Sequence, residues 1–563
     1  MTKLIECVPN FSEGVNLDII KQITDAVETV EGVRLLNVDP GKATNRTVVT
    51  FVGEPEKVIE AAFQAIKKAG ELIDMSRQKG EHPRMGATDV CPLIPISNIS
   101  MEETADYARQ LAKRVGEELQ IPVYLYEAAQ PDKSRSNLSV IRAGEYEGFF
   151  KKIKQPEWAP DFGPAENDVK RGATVIGARD FLVAYNVNLN TTSVRRANSI
   201  AFDVREAGRT LREGDPINGK IIYDENGKAK NIPGSLKAVK AIGWYIEEYG
   251  IAQISMNLTN INITPVHKAF DEVCDKAAAR GIRVTGSELV GLIPLKAMLD
   301  AGRYFLEKQQ RSSGVSEKEL IKIAIKSMGL DELSPFRPEE RIIEYLLKDK
   351  ANSKLISMSL ADLADETASE SPAPGGGSIS AAVGALGASL ATMVANLSSH
   401  KKGWDNRWQE FSDWAQKGQR FKNELLVLVD QDTTAFNQIM QAFSLPKSND
   451  EEKATRDKAI QDATRYAIEI PFKVMEAALN SMEVIKAMVL TGNPNSITDA
   501  GVAALCARTA VLGAFMNVKI NASGYKDKDY VIDIIYRGNE IERKAIALEA
   551  EVIELVNGKI GLG

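Results

Sequence analysis

Through its first 330 residues the chain alternates short apolar runs with stretches whose apolar positions recur every three to four residues. LIECVPNFSEG is followed by a helical pattern over 17–30, by VRLLNVDPG and NRTVVTFVG, by a second helical pattern over 55–74, and by ATDVCPLIPIS. Alternation at period two marks half-buried strand and recurrence near 3.6 marks amphipathic helix, so the order is β-α-β-β-α-β. A second set follows a long connection: DFLVAYNVNLNT, a helix around 193–212, AQISMNLTN, HKAFDEVCDKAAARG and IRVTGSELVGLIP. The pattern predicts two α/β subdomains, over 1–180 and 181–330, with mixed or antiparallel sheets covered on one face by helices. A cleft between them is the natural ligand site.

From about 316 the β-branched alternation stops, and helices over 331–352 read as a linker to an all-α domain over 353–563. There the runs 357–369, 378–399, 404–443, 449–490, 498–521 and 530–558 carry the 3.6-residue period between polar or Gly/Pro/Asn breaks, the pattern of a helical bundle.

A chain of 563 residues is too long for one core, in keeping with several folding units. Charged residues at 26% and hydrophobic ones at 44% exclude both disorder and a multi-span membrane protein. A net charge of −7 gives no basic surface for nucleic acid, so anionic ligands must be met by local donors. Cys7, Cys91, Cys274 and Cys506 form no Cys-x-x-Cys pair, which predicts neither a disulfide framework nor a zinc site. Glu6 and Pro9 interrupt the N-terminus before a signal-peptide core develops, and the expected compartment is the reducing cytoplasm. No metal site is expected.

The chain has three histidines, His82, His267 and His400. His82 sits in Lys79-Gly80-Glu81-His82-Pro83-Arg84-Met85-Gly86-Ala87-Thr88-Asp89, where proline and glycine fix an irregular backbone between a helix and a strand. Two readings stay open: a solvated surface group, or a general base, for which imidazole has a suitable unperturbed pKa. Neighbouring Arg84 and Asp89 favour the base. Arg84 or other cationic groups are candidate clamps for carboxylates, while His267 and His400 read as capping or solvated groups. Asn10, Asp39 and Asn45-Arg46 stand at strand ends; each alone is turn chemistry, and together they can converge with His82 on one sheet edge. Asp39 is the candidate partner that orients His82. Gly163-Pro164-Ala165-Glu166-Asn167-Asp168-Val169-Lys170-Arg171-Gly172 is a loop with exposed donors and a basic pair before a strand.

In the helical half, Ser371-Pro372-Ala373-Pro374-Gly375-Gly376-Gly377-Ser378 runs into ISAAVGALGASLATMVANLS, uncharged and long enough to approach a membrane span. Its Ala, Gly, Ser and Thr content argues against insertion. The glycines lack the Lys-Ser/Thr ending of a phosphate loop and follow no strand. What remains is a helix whose first backbone N–H groups meet an anion or a polar ligand edge. Its Ala381, Gly384, Ala385, Gly387 and Ala388 permit close packing. On the next long helix an apolar stripe runs through Leu425, Leu428, Val429, position 432, Ala435, Phe436, Ile439 and Phe443, and position 432 is aspartate. Desolvation there raises a carboxyl pKa toward the range of a general acid/base. A structural carboxylate satisfied by a helix N-terminus is the alternative. Asp430 points about 200° away and reads as partly exposed, and Asn493, Ser496 and Asp499 are supporting candidates.

CVPNFSEG, NVDPGKATNRTVVTFVG, KGEHPRMGATDVCP and GPAENDVKRGATVIGARDFLVAYNVNL resemble the formiminotransferase half of the formimidoyltransferase-cyclodeaminase family, across most of 1–330. SPAPGGGSISAAVGALGASLATMV, LVDQDTTAFNQIMQAFSLPKSNDEEK and GNPNSITDAGVAALCARTAVLGAFMNVKIN resemble its cyclodeaminase half, across roughly 355–560. The resemblance implies a bifunctional folate enzyme of histidine breakdown. Such an enzyme moves the formimino group of N-formimino-L-glutamate to N5 of tetrahydrofolate, then closes the product to 5,10-methenyltetrahydrofolate with loss of ammonia. It implies His82 as the base of the transfer, the loop from Gly163 to Gly172 as a folate contact, and Asp432 as the catalytic carboxylate of the second step. Gly375, Gly376, Gly377 and Ser378 are then expected to start a helix that lines a second folate pocket. It also implies tetrahydrofolate, with or without a polyglutamate tail, as cosubstrate, and a homo-oligomer built from dimers. Two rivals remain at this point: a transferase whose helical domain serves only assembly, and a folate-binding scaffold without turnover.

Overall fold

The computed structural model of the protein describes residues 3–42, 44–80, 83–214, 219–347 and 355–561. The chain divides into two compact units, Met1–Ala297 with Met328–Leu347, and Met298–Ser327 with Lys348–Gly563.

The first apolar run of the sequence is split at Val8-Pro9 into β1 (Leu4–Cys7) and β2 (Asn10–Phe11), because proline has no N–H to continue the ladder. Then come α1 (Leu17–Glu28), β3 (Val33–Gly41), β4 (Arg46–Gly53), α2 (Pro55–Leu72), β5 (Thr88–Ser97), α3 (Met101–Glu118), β6 (Val123–Glu127), α4 (Leu138–Ile141), α5 (Glu145–Lys152) and β7 (Thr174–Ala178). The seven strands form one mixed sheet: β1 and β2 both lie between β4 and β5, β3 edges β4, and β5, β7 and β6 run parallel. Asn16 caps α1, and Ser100 with Glu103 closes a capping box on α3, which fixes where these helices start.

The pleat divides the sheet's residues between two environments. Ile5, Cys7, Val49, Phe51, Cys91 and Leu93 pack with Ile23 of α1, Ile66 of α2 and Leu111 of α3, all nearly fully buried. Each such side chain contributes about 1.5–3 kcal/mol of burial. Their alternates Glu6, Val48, Thr50, Val90, Pro92 and Ile94 face the opposite side and line a cleft.

A second, antiparallel sheet contains β8 (Val183–Leu189), β11 (Val239–Ile246), β12 (Ile251–Leu258) and β13 (Val284–Val290), in the order β11-β12-β8-β13. It is accompanied by α6 (Val194–Val204), the short pair β9 (Arg209–Thr210) and β10 (Asn231–Ile232), and α7 (Val266–Ala278). The helix read over 193–212 thus ends eight residues early. Arg205 is extended at ψ 146, and the chain turns at Gly208, φ +63, into the β9–β10 pair. A Cβ at Gly208 would collide with the Ile232 carbonyl, so glycine is required there.

After α8 (Leu295–Lys308), α9 (Glu317–Met328), α10 (Pro338–Arg341), α11 (Ile343–Leu346) and α12 (Leu360–Thr367) come five long helices: α13 (Gly376–Ser399), α14 (Trp408–Ser444), α15 (Asp450–Thr491), α16 (Ile497–Ser523) and α17 (Lys528–Ile560). Helix α13 packs on α14, α15 and α16. Its small residues make this possible: a Cβ at Gly387 would sit 3.0 Å from both the Ala503 carbonyl oxygen and Cys506 Cβ. Ala381, Ala385, Ala388, Ala503, Ala507 and Ala510 complete the contact, each no more than 2% exposed. Both α13 and 494–523 are long and apolar enough to cross a membrane, with 61% and 50% of their apolar windows buried inside the protein.

Candidate active sites

The open face of the first sheet forms the wall of a cleft of about 570 Å³. From the second sheet, Lys240, Asn257, Ala184 and Val290 are cross-strand neighbours, so they form one row, and all four line the cleft. Asn10, Asp39 and Arg46, grouped by sequence at one sheet edge, all line it too. His82 lies outside the described residues.

Charge in the cleft is mixed. Arg46, Arg142, Arg179 and Lys240 supply cations, and Glu6, Asp39, Glu127 and Asp180 supply carboxyl groups. Burial raises the Asp39 pKa, with Arg341 opposing and Glu288 reinforcing the rise. Asp89 is fully buried at the end of the loop that carries His82 in sequence. Its Oδ1 accepts the Met85 N–H at 2.9 Å and its Oδ2 accepts Arg142 Nη2 at 2.6 Å, so this loop is fastened to a cation that lines the cleft. Burial raises the Asp89 pKa and Arg142 opposes it most strongly.

Arg84 is not the carboxylate clamp read from the sequence. The residue is 9% exposed, and its guanidinium is engaged by Gln78 at 2.7 Å, Glu147 at 2.8 Å and Glu145 at 3.2 Å. Arg142 and Arg179, which the sequence does not single out, line the cleft. His267 is buried at 6% exposure rather than solvated. His400 is the exposed C-cap of α13.

Gly163 to Gly172 is an exposed loop whose basic pair is already bound. Lys170 Nζ donates to the Glu71 carbonyl at 2.7 Å, and Arg171 pairs with Asp168 and donates to the Leu119 carbonyl at 2.7 Å. None of its residues lines the cleft. Its end is hydrogen-bonded to the 83–87 loop, Ala87 N–H to the Arg171 carbonyl at 2.8 Å and Ala173 N–H to the Met85 carbonyl at 3.1 Å.

Glu6 is a strongly perturbed carboxyl group of the cleft. Burial pushes its carboxyl from 4.5 up to about 7, against the pull of Arg179 and with the push of Glu344. Between those pH values the folded chain keeps a proton that the unfolded chain has released, so stability falls as pH rises through the window. The loss reaches about 3 kcal/mol above it. Glu6→Gln is therefore expected to melt at a higher temperature than wild type at pH 8, with the gap closing toward pH 4.5. Thermal unfolding at the two pH values checks this, and a gap that does not change with pH contradicts it.

In the second unit Asp432, on α14, is seated on the first turn of α13. Ser378 Oγ lies 3.0 Å from Asp432 Oδ2, 3.0 Å from the Val429 carbonyl oxygen and 3.2 Å from Thr433 Oγ1. A hydroxyl has one proton, so Ser378 serves the carboxylate or the carbonyl at any moment. Burial raises the Asp432 pKa, and the Ser378 hydroxyl and backbone N–H pull it down. The positive end of the α13 dipole also favours the anion. Around it, Leu425, Leu428, Val429 and Ala435 of the predicted stripe are buried, but Phe443 is 51% exposed because the stripe leaves the bundle near the end of α14. Asp430 is half-buried, as expected from its place on the helix.

Gly377 is fixed by this arrangement: a Cβ there would collide with the Asp432 carboxyl group. Gly377→Ala is expected to push the carboxylate off its seat and lower any activity that depends on it by about 100-fold, the scale of a misplacement near 1 Å. Comparing turnover of the helical half with that of the sheet-bearing half in one preparation checks it, since only the former falls.

Asn493, Ser496 and Asp499 do not support Asp432 within the chain. Asn493 N–H donates to Ser398 Oγ at the far end of α13, roughly 30 Å from Gly376 at 1.5 Å per residue. Asn517 is the α16 residue that approaches this end, with Nδ2 3.1 Å from where a Gly376 Cβ would stand. The sequence signal missed it because periodicity assigns a face of a helix and not which end meets a neighbour.

Known proteins match this chain over nearly its whole length. The family model "Formiminotransferase domain, N-terminal subdomain" covers residues 4–179, "Formiminotransferase domain" covers 184–348, and "Formiminotransferase-cyclodeaminase" covers 359–538. The formimidoyltransferase-cyclodeaminase of Gallus gallus is 44% identical over 531 residues, 94% of each chain. A glutamate formimidoyltransferase of Thermoplasma acidophilum is 42% identical over 57% of this chain and 98% of its own. A methenyltetrahydrofolate cyclohydrolase of Methylorubrum extorquens is 33% identical over 35% of this chain and 94% of its own.

Proposed function

We infer the activity of this chain from its kinship: it belongs to the formimidoyltransferase-cyclodeaminase family. It is a bifunctional enzyme that transfers the formimino group of N-formimino-L-glutamate to tetrahydrofolate and then cyclodeaminates the product to 5,10-methenyltetrahydrofolate and ammonia.

In the first step N5 bonds to the formimino carbon as the bond from that carbon to the glutamate nitrogen breaks; we assign to His82 the proton that N5 gives up and its return to the departing glutamate amine, with Asp39 orienting the imidazole. The donor set of the cleft fits the substrates. Arg179 and Lys240 line the cleft and can meet carboxylates of glutamate and folate, with Arg142 braced against Asp89 beside them, and a volume of about 570 Å³ is that of a small-molecule site. A folate contact by Gly163–Gly172 is supported by the hydrogen bonds that tie this loop to Met85 and Ala87.

In the second step N10 attacks the formimino carbon, and one proton must move from N10 to the departing nitrogen. The observation that carries our reading is a desolvated carboxylate seated on a helix start. Asp432 accepts the proton while Ser378 turns its own hydroxyl from the carboxylate to the Val429 carbonyl, and Asp432 then returns the proton to ammonia as it leaves. Gly375–Ser378 lie beside it as the wall of the second folate pocket. Supplying 5-formiminotetrahydrofolate alone and measuring ammonia tests this step by itself; no ammonia from wild type would overturn it. A homo-oligomer is supported by apolar side chains left exposed on α13 and α16, Leu386 at 59% and Met516 and Ile520 at 68% each. The cytoplasm is the proposed compartment, in keeping with four free thiols.

A further inference from the structure

Glu6 has no part in the proton transfers above, yet it is the most deeply placed charged group of the cleft. It is 2% exposed, flanked in β1 by the core residues Ile5 and Cys7, and turned by the pleat to the cleft side, where it lines the wall with Asn10 and Asp39. Its Oε2 is buried and, among the described residues, without a hydrogen-bond partner. Arg179 and Glu344 are the charged groups that act on it through space, and no ion pair between Arg179 and Glu6 occurs among the described residues. A native fold keeps an unsatisfied buried carboxyl oxygen only at a cost in stability. Such a group needs a reason, and a ligand that brings donors is one.

We propose that Glu6 is the residue that recognises the formimino nitrogen of the donor and makes this cleft select an amidine over a formyl group. The proposal rests on the formimino-transfer reading and names the feature of the substrate that the site reads. A formamidine is basic and is protonated at neutral pH, so it presents N–H donors on a cation where a formyl group presents an acceptor oxygen. Against an ionised Glu6, the amidinium supplies the missing hydrogen bond and the compensating charge. The formyl oxygen carries no donor and no charge, so it supplies the ionised carboxylate with neither. Arg179 and Lys240 can then meet the carboxylates of the same substrate, which divides the mixed charge of the cleft by the chemistry of the two ends. The antiparallel ladder of β1 with β5, in which Glu6 stands opposite Ile94, fixes the height of Glu6 in the wall, and the Cys7 and Cys91 sulfurs touch at 3.5 Å on the opposite face.

Sites built to hydrogen-bond a particular group reject analogues that cannot form the bond by large factors. The test compares N-formiminoglutamate with N-formylglutamate, which differ at that position, as donors to tetrahydrofolate. Wild type is expected to prefer the formimino donor by about 100-fold or more in kcat/KM. Glu6→Gln, whose amide offers both a donor and an acceptor, is expected to reduce that preference at least about tenfold with the KM for tetrahydrofolate unchanged. Glu6→Asp, which keeps the charge, is expected to retain the preference. An unchanged preference in Glu6→Gln overturns the proposal and leaves formimino transfer standing. Absence of transfer from N-formiminoglutamate in wild type overturns the activity itself. Should the glutamine variant not fold, competition on wild type decides: equal binding of the two glutamate derivatives overturns the assignment, and formyl binding weaker by an order of magnitude supports it.

Discussion

Asp432→Asn is expected to lower cyclodeaminase turnover by about 10²–10⁴-fold, the usual contribution of a positioned acid or base, while formimino transfer continues. Asparagine has the same shape and still accepts from Ser378, so it keeps the capping role on α13 and the bundle stays folded. What it loses is the ability to take a proton. The intermediate between the two steps should then accumulate and ammonia should stop. Rapid quenching followed by chromatography of the folates reads both at once. The outcome also separates the two readings that the sequence left open for this residue. A carboxylate that only caps a helix would be replaced by asparagine with little change in ammonia release.

The complementary result is expected at the other end of the chain. His82→Ala should lower formimino transfer by about 10²–10⁴-fold and leave the closure of supplied 5-formiminotetrahydrofolate at the wild-type rate. The loop that carries the histidine is held on either side of its tip. Gln78 before position 82 accepts from Arg84 after it, and Asp89 fixes the Met85 N–H and Arg142. An alanine at position 82 therefore removes an imidazole without removing the anchors of the loop. A steady-state assay with each donor alone checks this, and parallel loss of both activities would mean that the loop change has disturbed the whole chain.

Much of this architecture could be read from residue patterns. The alternation in VRLLNVDPG and NRTVVTFVG became paired strands, and the helix periodicity from α13 to α17 matched observed elements to within a few residues. Asp432 stood out because a charge in an apolar stripe is costly wherever the helix packs. Glu6 obeys the same rule at period two, a charge between Ile5 and Cys7 in a strand, but in sequence the same charge serves equally well as the break in a signal-peptide core. Arg142 and Arg179 carried no local signal at all. Their place in the cleft depends on which strands become neighbours, a matter of sheet order that short patterns do not encode. Arg84 misled for the converse reason: its partners Glu145 and Glu147 are 61 and 63 residues away in sequence. The early end of α6 depended on Gly208 meeting the Ile232 carbonyl, again a contact made only after folding.

The central claim is that one chain runs two consecutive reactions at two separate centres. The measurement that tests it most directly mixes the purified protein with N-formiminoglutamate and tetrahydrofolate and follows methenyltetrahydrofolate absorbance and ammonia together. It is run with wild type, His82→Ala and Asp432→Asn. The account predicts both products from wild type, neither from His82→Ala unless 5-formiminotetrahydrofolate is supplied, and accumulation of that intermediate with Asp432→Asn. Wild type that consumes N-formiminoglutamate without releasing ammonia, or an Asp432→Asn protein that releases it at the wild-type rate, would contradict it.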